Sequence, residues 1–246
     1  MRAAEGAFLV EGPNLVAEAL DAGVDLEAVY VEAGDRSDEI TGLLAAASAA
    51  GIDTFELDAG SLRRVADTAS PQPVVAVAAL PNGSIDDAVA AEVVVVLVGV
   101  GDPGNAGTIV RTAEASGAGA VVFAGGSVDP WNPKCVRASA GAVFHVPVVD
   151  AGDPAAVLEE LGRSGHVRMA TVVASGVPYD RVDLTGSVAI VLGNEAHGLP
   201  DGLDALIDLP VTIPMSGRAE SLNVAMAGAI VCFEALRQRR RAGGSA

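Results

Sequence analysis

The sequence predicts an α/β fold: a small N-terminal α/β domain followed by a larger domain built on a mostly parallel sheet with helices on both faces. Three observations carry this expectation. Apolar runs of strand length alternate with helix-length stretches along nearly the whole chain, the rhythm of parallel sheets. The most apolar run, 93–100 (VVVVLVGV), has the length and valine content of a strand buried on both faces. Half of the 246 residues are apolar but only 3% are aromatic, so the core is built from Ala, Val, Leu and Ile, with 29 glycines to serve the turns.

The elements follow in order. Residues 7–12 (AFLVEG) read as strand. Residues 13–23 open with Pro13 and close with Gly23, the two ends of a short helix. A strand is expected at 26–33, and a helix at 37–51 with Ser37 as N-cap and Gly51 as stop. A strand at 52–58, a helix at 59–68 and a strand at 73–80 complete the front domain, 1–80. The turn formers of 81–87 (PNGSIDD) mark a linker, taken as 81–91. In the second domain, 92–246, strands are expected at 92–100, 120–126, 143–150, 167–175, 187–193 and 211–215. Helices are expected at 105–117, 133–141, 153–165 and 220–241.

Charge and cysteines narrow the function. The net charge is −17, with 4 basic and 14 acidic residues in 1–80, 4 and 10 in 81–166, and 7 and 8 in 167–246. Such a balance argues against nonspecific binding to nucleic-acid phosphates. Arg237, Arg239, Arg240 and Arg241 cluster near the end, where a solvated helix terminus is as good a reading as a binding patch. Cys135 and Cys232 show no disulfide or metal-ligand spacing, and His145, His166 and His197 are scattered, so no metal is expected. No apolar run approaches the roughly 20 residues of a membrane helix. The first residues do not read as a secretory signal, and a cytoplasmic protein is expected.

Ligands of open parallel sheets bind beyond the carboxyl ends of the strands. Three buried strands here exit into similar chemistry: 99–111 (GVGDPGNAGTIVR), 193–200 (GNEAHGLP) and 214–225 (PMSGRAESLNVA). Each alone reads as a polar turn; together they predict a shared pocket. The first contains Gly99-x-Gly101-x-x-Gly104, the dinucleotide signature. The acid a nicotinamide site needs about twenty residues on is missing from the end of the next strand, where Gly125 and Gly126 stand instead.

Read in order, Asn105-x-Gly107-x-Ile109-x-Arg111, Gly193-Asn194-Glu195-x-x-Gly198 and Ile213-Pro214-Met215 leading to Ser221-Leu222-Asn223-Val224-Ala225 resemble the SpoU (TrmH-type) branch of the SPOUT RNA methyltransferases. The resemblance covers about 92–240, and the front domain is similar to the L30e-like substrate-binding domain often fused ahead of it. It implies a C-terminal domain with a deep trefoil knot and a homodimer with the final helix at its interface. It also implies S-adenosyl-L-methionine as cofactor and 2′-O-methylation of a ribose in ribosomal or transfer RNA; ribosomal RNA is the expectation because the front domain resembles ribosomal-protein-like RNA modules. Gly193, Ile213, Leu222, Met215 and Leu192 are then the cofactor-binding candidates, and Arg111, Asn105, Glu195, Ser221 and Asn223 the catalytic ones.

A free guanidinium stays protonated far above neutral pH, so Arg111 suits gripping a phosphate better than removing a proton. Lys134 and Arg137 are candidate RNA contacts; the basic pair flanking Cys135 could lower its thiol pKa, but a buried, inert thiol is the expected reading. Relatives with this front domain often carry a basic helix ahead of the first strand; only one Arg precedes it here, so either the RNA-docking surface is reduced or the start is misassigned or trimmed. The alternatives are a tRNA 2′-O-methyltransferase, an NAD(P)-dependent oxidoreductase and a non-catalytic RNA-binding relative.

Overall fold

The computed structural model describes residues 6–34, 37–58, 60–62 and 72–243. The helix expected at 59–68 falls largely outside them. The front part comprises β1 (Ala7–Glu11), α1 (Pro13–Asp21), β2 (Leu26–Glu32), α2 (Asp38–Ala49), β3 (Asp53–Leu57) and β4 (Val74–Ala79). Its sheet has the order β1-β4-β2-β3, with β4 antiparallel to both neighbours and β3 parallel to β2. Gly12, at φ +104°, turns the chain from β1 straight into α1, a conformation open to glycine and strained for other residues. Ser37 caps α2 through Ile40 N–H, as its position predicts.

The rest of the chain forms α3 (Ile85–Ala90), β5 (Val93–Val98), α4 (Pro103–Ala115), β6 (Ala120–Ala124), α5 (Pro133–Ser139), β7 (Val148–Asp150), α6 (Pro154–Arg163), β8 (Val167–Thr171), β9 (Val177–Pro178), β10 (Val188–Leu192), β11 (Leu209–Thr212) and α7 (Val224–Ala242). Its strands build one parallel sheet in the order β7-β6-β5-β10-β8-β11-β9. All six residues of β5 are buried, and they alternate between two cores. Val93, Val95 and Leu97 pack with residues of α4, α5 and α7, while Val94, Val96 and Val98 pack with α3 and α6. Burying each such side chain contributes about 1.5–3 kcal/mol before the cost of ordering it.

The strand order positions the site. From β5 the chain moves outward through β6 to β7, then returns so that β10 pairs with β5 and β8 lies beyond. The direction of winding reverses between β5 and β10, and the crevice past their carboxyl ends is where parallel sheets bind ligands.

Four departures from the sequence reading have local causes. The expected linker contains α3, started by a capping box in which Ser84 and Asp87 satisfy each other's backbone N–H groups. Residues 143–150 are not one extended run: Ala140 and Gly141 are left-handed, at φ +50° and +91°, and throw the chain into a 3₁₀ turn at Ala142–Phe144 before β7. β8 ends at Thr171 because the chain crosses β11, with Gly176 packed against the backbone of Val211 and Thr212, to add β9 parallel on its far side. α7 begins at Val224 rather than 220, because Asn223 takes extended geometry as its N-cap. Among the described residues no helix is long and apolar enough to cross a membrane, and no group of His, Cys, Asp and Glu is arranged to hold a metal ion.

Candidate active site

Three loops meet beyond β5, β10 and β11. The first leaves β5 through Gly99, left-handed at φ +69°, and enters α4 through Asp102, whose carboxylate accepts Asn105 N–H at 2.8 Å. This cap places the Asn105 side chain at the mouth of the crevice. The second loop leaves β10 at Gly193 and closes on itself, with Asn194 and Gly198 exchanging both backbone hydrogen bonds at 2.9 Å. A Cβ on Gly193 would lie 2.6 Å from the Gly198 carbonyl carbon and 2.9 Å from Leu199 N, so only glycine fits. The third loop runs exposed from Pro214 to Asn223, which caps α7 by accepting from Ala225 and Met226 N–H at 2.9 and 3.4 Å.

Side chains tie the loops together. Asn194 Nδ2 donates to Gly99 C=O at 2.7 Å, while its Oδ1 accepts from Ala196 and His197 N–H. Asn105 Nδ2 donates to Glu195 Oε1 at 2.9 Å, and Asn223 Nδ2 donates to Asn105 Oδ1 at 2.9 Å. Glu195 also accepts longer bonds, 3.4 Å each, from Gly101 and Asp102 N–H. Partial burial raises the Glu195 pKa, but the bonds from Asn105 and the backbone outweigh it and hold the carboxyl below its ordinary value. It is therefore a fixed anion at neutral pH and a poor general base.

The Gly99-x-Gly101-x-x-Gly104 turn shows why a dinucleotide is not its ligand. The amide positions that would cradle a pyrophosphate at the start of α4 already face the carboxylates of Asp102 and Glu195. A further anion there would meet two like charges.

The three loops enclose a cavity of about 660 Å³, within the range of small-molecule sites. Val172, Val173, Ile213, Met215 and Leu222 give it apolar walls, and Asn105, Glu195, Ser221 and Asn223 supply polar groups. This mixture fits an adenosyl group with an attached sulfonium: apolar walls for the ring, a glycine wall that allows close backbone approach, and a carboxylate of opposite charge.

Residues 92–233 match the SpoU rRNA Methylase family, which is more than half of the chain. The chain belongs to the SpoU rRNA methylase family. Residues 1–76 match the MRM3-like substrate binding domain. The chain is 36% identical over 228 residues to the 23S rRNA (guanosine(2553)-2′-O)-methyltransferase RlmP of Bacillus subtilis, covering 92% of this chain and 87% of the relative. It is 34% identical to the 23S rRNA (guanosine-2′-O-)-methyltransferase RlmB of Ralstonia nicotianae, with 87% and 88% covered. Among solved structures it superposes on the AdoMet-bound rRNA methyltransferase of Sinorhizobium meliloti with a TM-score of 0.84 at 32% identity, covering 96% of this chain and 89% of the other. The SpoU methyltransferase AviRb of Streptomyces viridochromogenes, in complex with AdoMet, gives a TM-score of 0.86 at 30% identity, with 97% and 92% covered.

In this SpoU chain, eight of the ten residues singled out in the sequence line the cavity: Asn105, Gly193, Glu195, Ile213, Met215, Ser221, Leu222 and Asn223. Leu192 does not. It is fully buried, with Cδ1 only 2.9 Å from where a Cβ on Gly228 of α7 would stand, so it sits in the core beneath the cavity. Arg111 does not line it either. It lies on α4, about 9 Å along the axis from Asn105, exposed and without a hydrogen bond or ion pair among the described residues.

Arg137 is bonded to Glu11 of β1 at 2.8 Å. The Cys135 thiol is buried and raised to about 12, by burial first and then by nearby Asp129, as expected of an inert core thiol. Asn223 has a structural role as N-cap, which sequence placement inside a helix had hidden. Asn194, outside the ten candidate residues, fastens the second loop to the first; its signal in the sequence is an asparagine directly after the obligatory Gly193.

Proposed function

We propose that this protein is an S-adenosyl-L-methionine-dependent methyltransferase that methylates a ribose 2′-hydroxyl of 23S ribosomal RNA. One observation carries the proposal: the chain of side chains Glu195–Asn105–Asn223 joins all three loops at the mouth of the cavity. When bound, the methyl donor supplies an activated methyl group, so the protein mainly holds the acceptor oxygen close and in line and excludes water. Asn105 and Asn223 orient the sugar hydroxyl, Ser221 supplies a further polar contact, and Glu195 keeps Asn105 in register. Gly193, Ile213, Met215 and Leu222 hold the donor. Arg111, exposed and without an ion pair among the described residues, grips the phosphate next to the target sugar as the RNA crosses α4.

In this reading residues 1–80 bind RNA, 81–91 connect, and 92–246 form the knotted catalytic domain. The inserted position of β10 beside β5 and the packing of α7 on the β5 core support the knot. The enzyme works in the cytoplasm as a homodimer. Support for the dimer comes from α7, where Met226 and Phe233, seven residues apart and so on one helix face, are 51% and 48% exposed.

Ribosomal RNA is favoured over transfer RNA by coverage. Structures similar to this chain that are named for tRNA modification span only 62% and 59% of it, whereas the rRNA methyltransferases span nearly all, front domain included. The test is transfer of labelled methyl into purified 23S rRNA and tRNA, followed by nuclease digestion to locate the label. Label in a 2′-O-methylribose of 23S rRNA is expected. Label only in tRNA, or in no RNA, contradicts the proposal.

A further inference from the structure

The front part and the larger part of the chain meet along a seam of aromatic and charged residues. Trp131, the sole tryptophan, lies just before α5 and packs its ring 4.8 Å from Phe8 of β1; both are buried. Three residues after Phe8, Glu11 meets Arg137 of α5 at 2.8 Å, with only 5% of the Glu11 side chain exposed. Glu11 also accepts Gln72 N–H, which fixes the carboxylate from the front-domain side. Further along, Glu18 of α1 bonds to His145 at 2.7 Å and lies against Gly141, where a Cβ would come within 2.5 Å of Glu18 Cγ. On the catalytic side all these contacts fall between residues 131 and 145.

That short stretch is rigidly joined to the active site. α5 packs on α4 with no side-chain cushion at Gly107, whose Cβ would stand 2.3 Å from Cys135 C=O and 2.9 Å from Ser139 N. Interiors packed this closely pass a displacement on rather than absorb it. α4 presents Asn105 to the cavity and carries Arg111 on its exposed side. The path from front domain to cleft is therefore Glu11 and Phe8, then Arg137 and Trp131, then α5, then α4.

We propose, resting on the function above, that this seam is a fixed ruler and that Arg137 and Trp131 are positioning residues. RNA held by the front domain is set at one distance and angle from the methyl-transfer cleft. The substrate class follows: a folded RNA segment long enough to touch both domains at once, in preference to a short strand carrying only the target nucleotide. The acidic front domain is consistent with this, because geometry at a fixed separation can select an RNA without dense phosphate contacts.

The test is a double-mutant cycle on Glu11→Gln and Arg137→Met, assayed on a long 23S rRNA fragment and on a short oligonucleotide around the target. On the long RNA each single variant loses roughly tenfold or more in kcat/KM, the scale of a small misplacement of reacting groups. The double variant loses no more than the worse single, because both remove one interaction. Donor affinity and the slower rate on the short oligonucleotide stay unchanged, and Arg137→Lys restores part of the loss. The ruler is overturned if Glu11→Gln is silent while Arg137→Met is not, which marks a direct RNA contact. Equal losses on both RNAs, or losses that multiply, overturn it too.

Trp131 gives a second readout that needs no variant. Its fluorescence stays at the wavelength of a buried indole when long RNA is added to the wild-type protein; a red shift means the seam opens and the ruler is wrong. If wild-type protein methylates no RNA, the function above fails, and the fluorescence result still judges the seam.

Discussion

Asn223 donates Nδ2 to Asn105 Oδ1 at 2.9 Å while its own Oδ1 accepts from the first N–H groups of α7. One amide side chain thus fixes the start of the last helix and, 118 positions earlier in sequence, the residue at the head of α4. Both asparagines at the mouth of the cavity are thus held by helix N-caps, Asn105 through Asp102 and Asn223 by its own side chain.

Asn105 accepts from Asn223 and donates to Glu195, so its two ends are not interchangeable. Asn105→Asp loses the donor and places a second carboxylate against Glu195. Methyl transfer should fall at least 100-fold, the equivalent of about 2.7 kcal/mol. Asn105→Ala, which adds no charge, should fall less. Initial rates with labelled donor and 23S rRNA compare the two; a milder effect for Asp would contradict the network.

Arg111→Ala should abolish transfer and leave donor affinity nearly intact, because Arg111 lies outside the cavity. Calorimetric titration with S-adenosyl-L-methionine alongside the transfer assay separates the two effects. Lost donor binding would put Arg111 on the wrong side of the reaction.

Gly193→Ala should do the reverse. The new methyl would press on backbone atoms of Gly198 and Leu199, none of which can swing aside. The loop must shift, at a cost of roughly 1–3 kcal/mol. Donor affinity should drop by about tenfold or more, with a lower melting temperature.

The depressed pKa of Glu195 has a definite sign. A carboxyl whose pKa is lowered on folding contributes stability above its unfolded value, near 4.3, and loses it as pH falls through the folded value. Loop order around Glu195 should therefore persist down to about pH 5 and decay below about pH 4. Glu195→Gln should remove that acid dependence. Hydrogen exchange of Gly101 and Asp102 amides, followed against pH, measures it.

Both thiols should resist alkylation. Burial pushes Cys135 and Cys232 up to about 12, so thiolate is scarce at pH 8. Native protein treated with iodoacetamide should show no added mass, and unfolded protein should show two additions.

Much of this site was legible before any coordinates, for a physical reason. Strand ends in a parallel sheet share one edge, so polar residues after β5, β10 and β11 had to converge, and the glycine at 193 marked a close approach. What was not legible depends on contacts remote in sequence. Leu192 belongs to the core because Gly228 of α7 leaves room for it, and nothing near 192 says so. Arg111 sits in the same motif as Asn105, yet six residues of helix carry it out of the cavity. Glu11 and Arg137 lie 126 positions apart, so their pairing left no local mark. Helix α3 had a signal, Ser84 and Asp87 at capping-box spacing, but the Pro81-Asn82-Gly83 run ahead of it read as linker.

The most direct test of the central claim is a crystal structure of the protein with S-adenosyl-L-methionine. The account predicts the donor within the cavity, its adenosyl group against Gly193, Ile213 and Leu222 and its methyl group facing Asn105 and Asn223. A donor bound at any other surface, or in this cavity with its methyl group turned away from those asparagines, would contradict it.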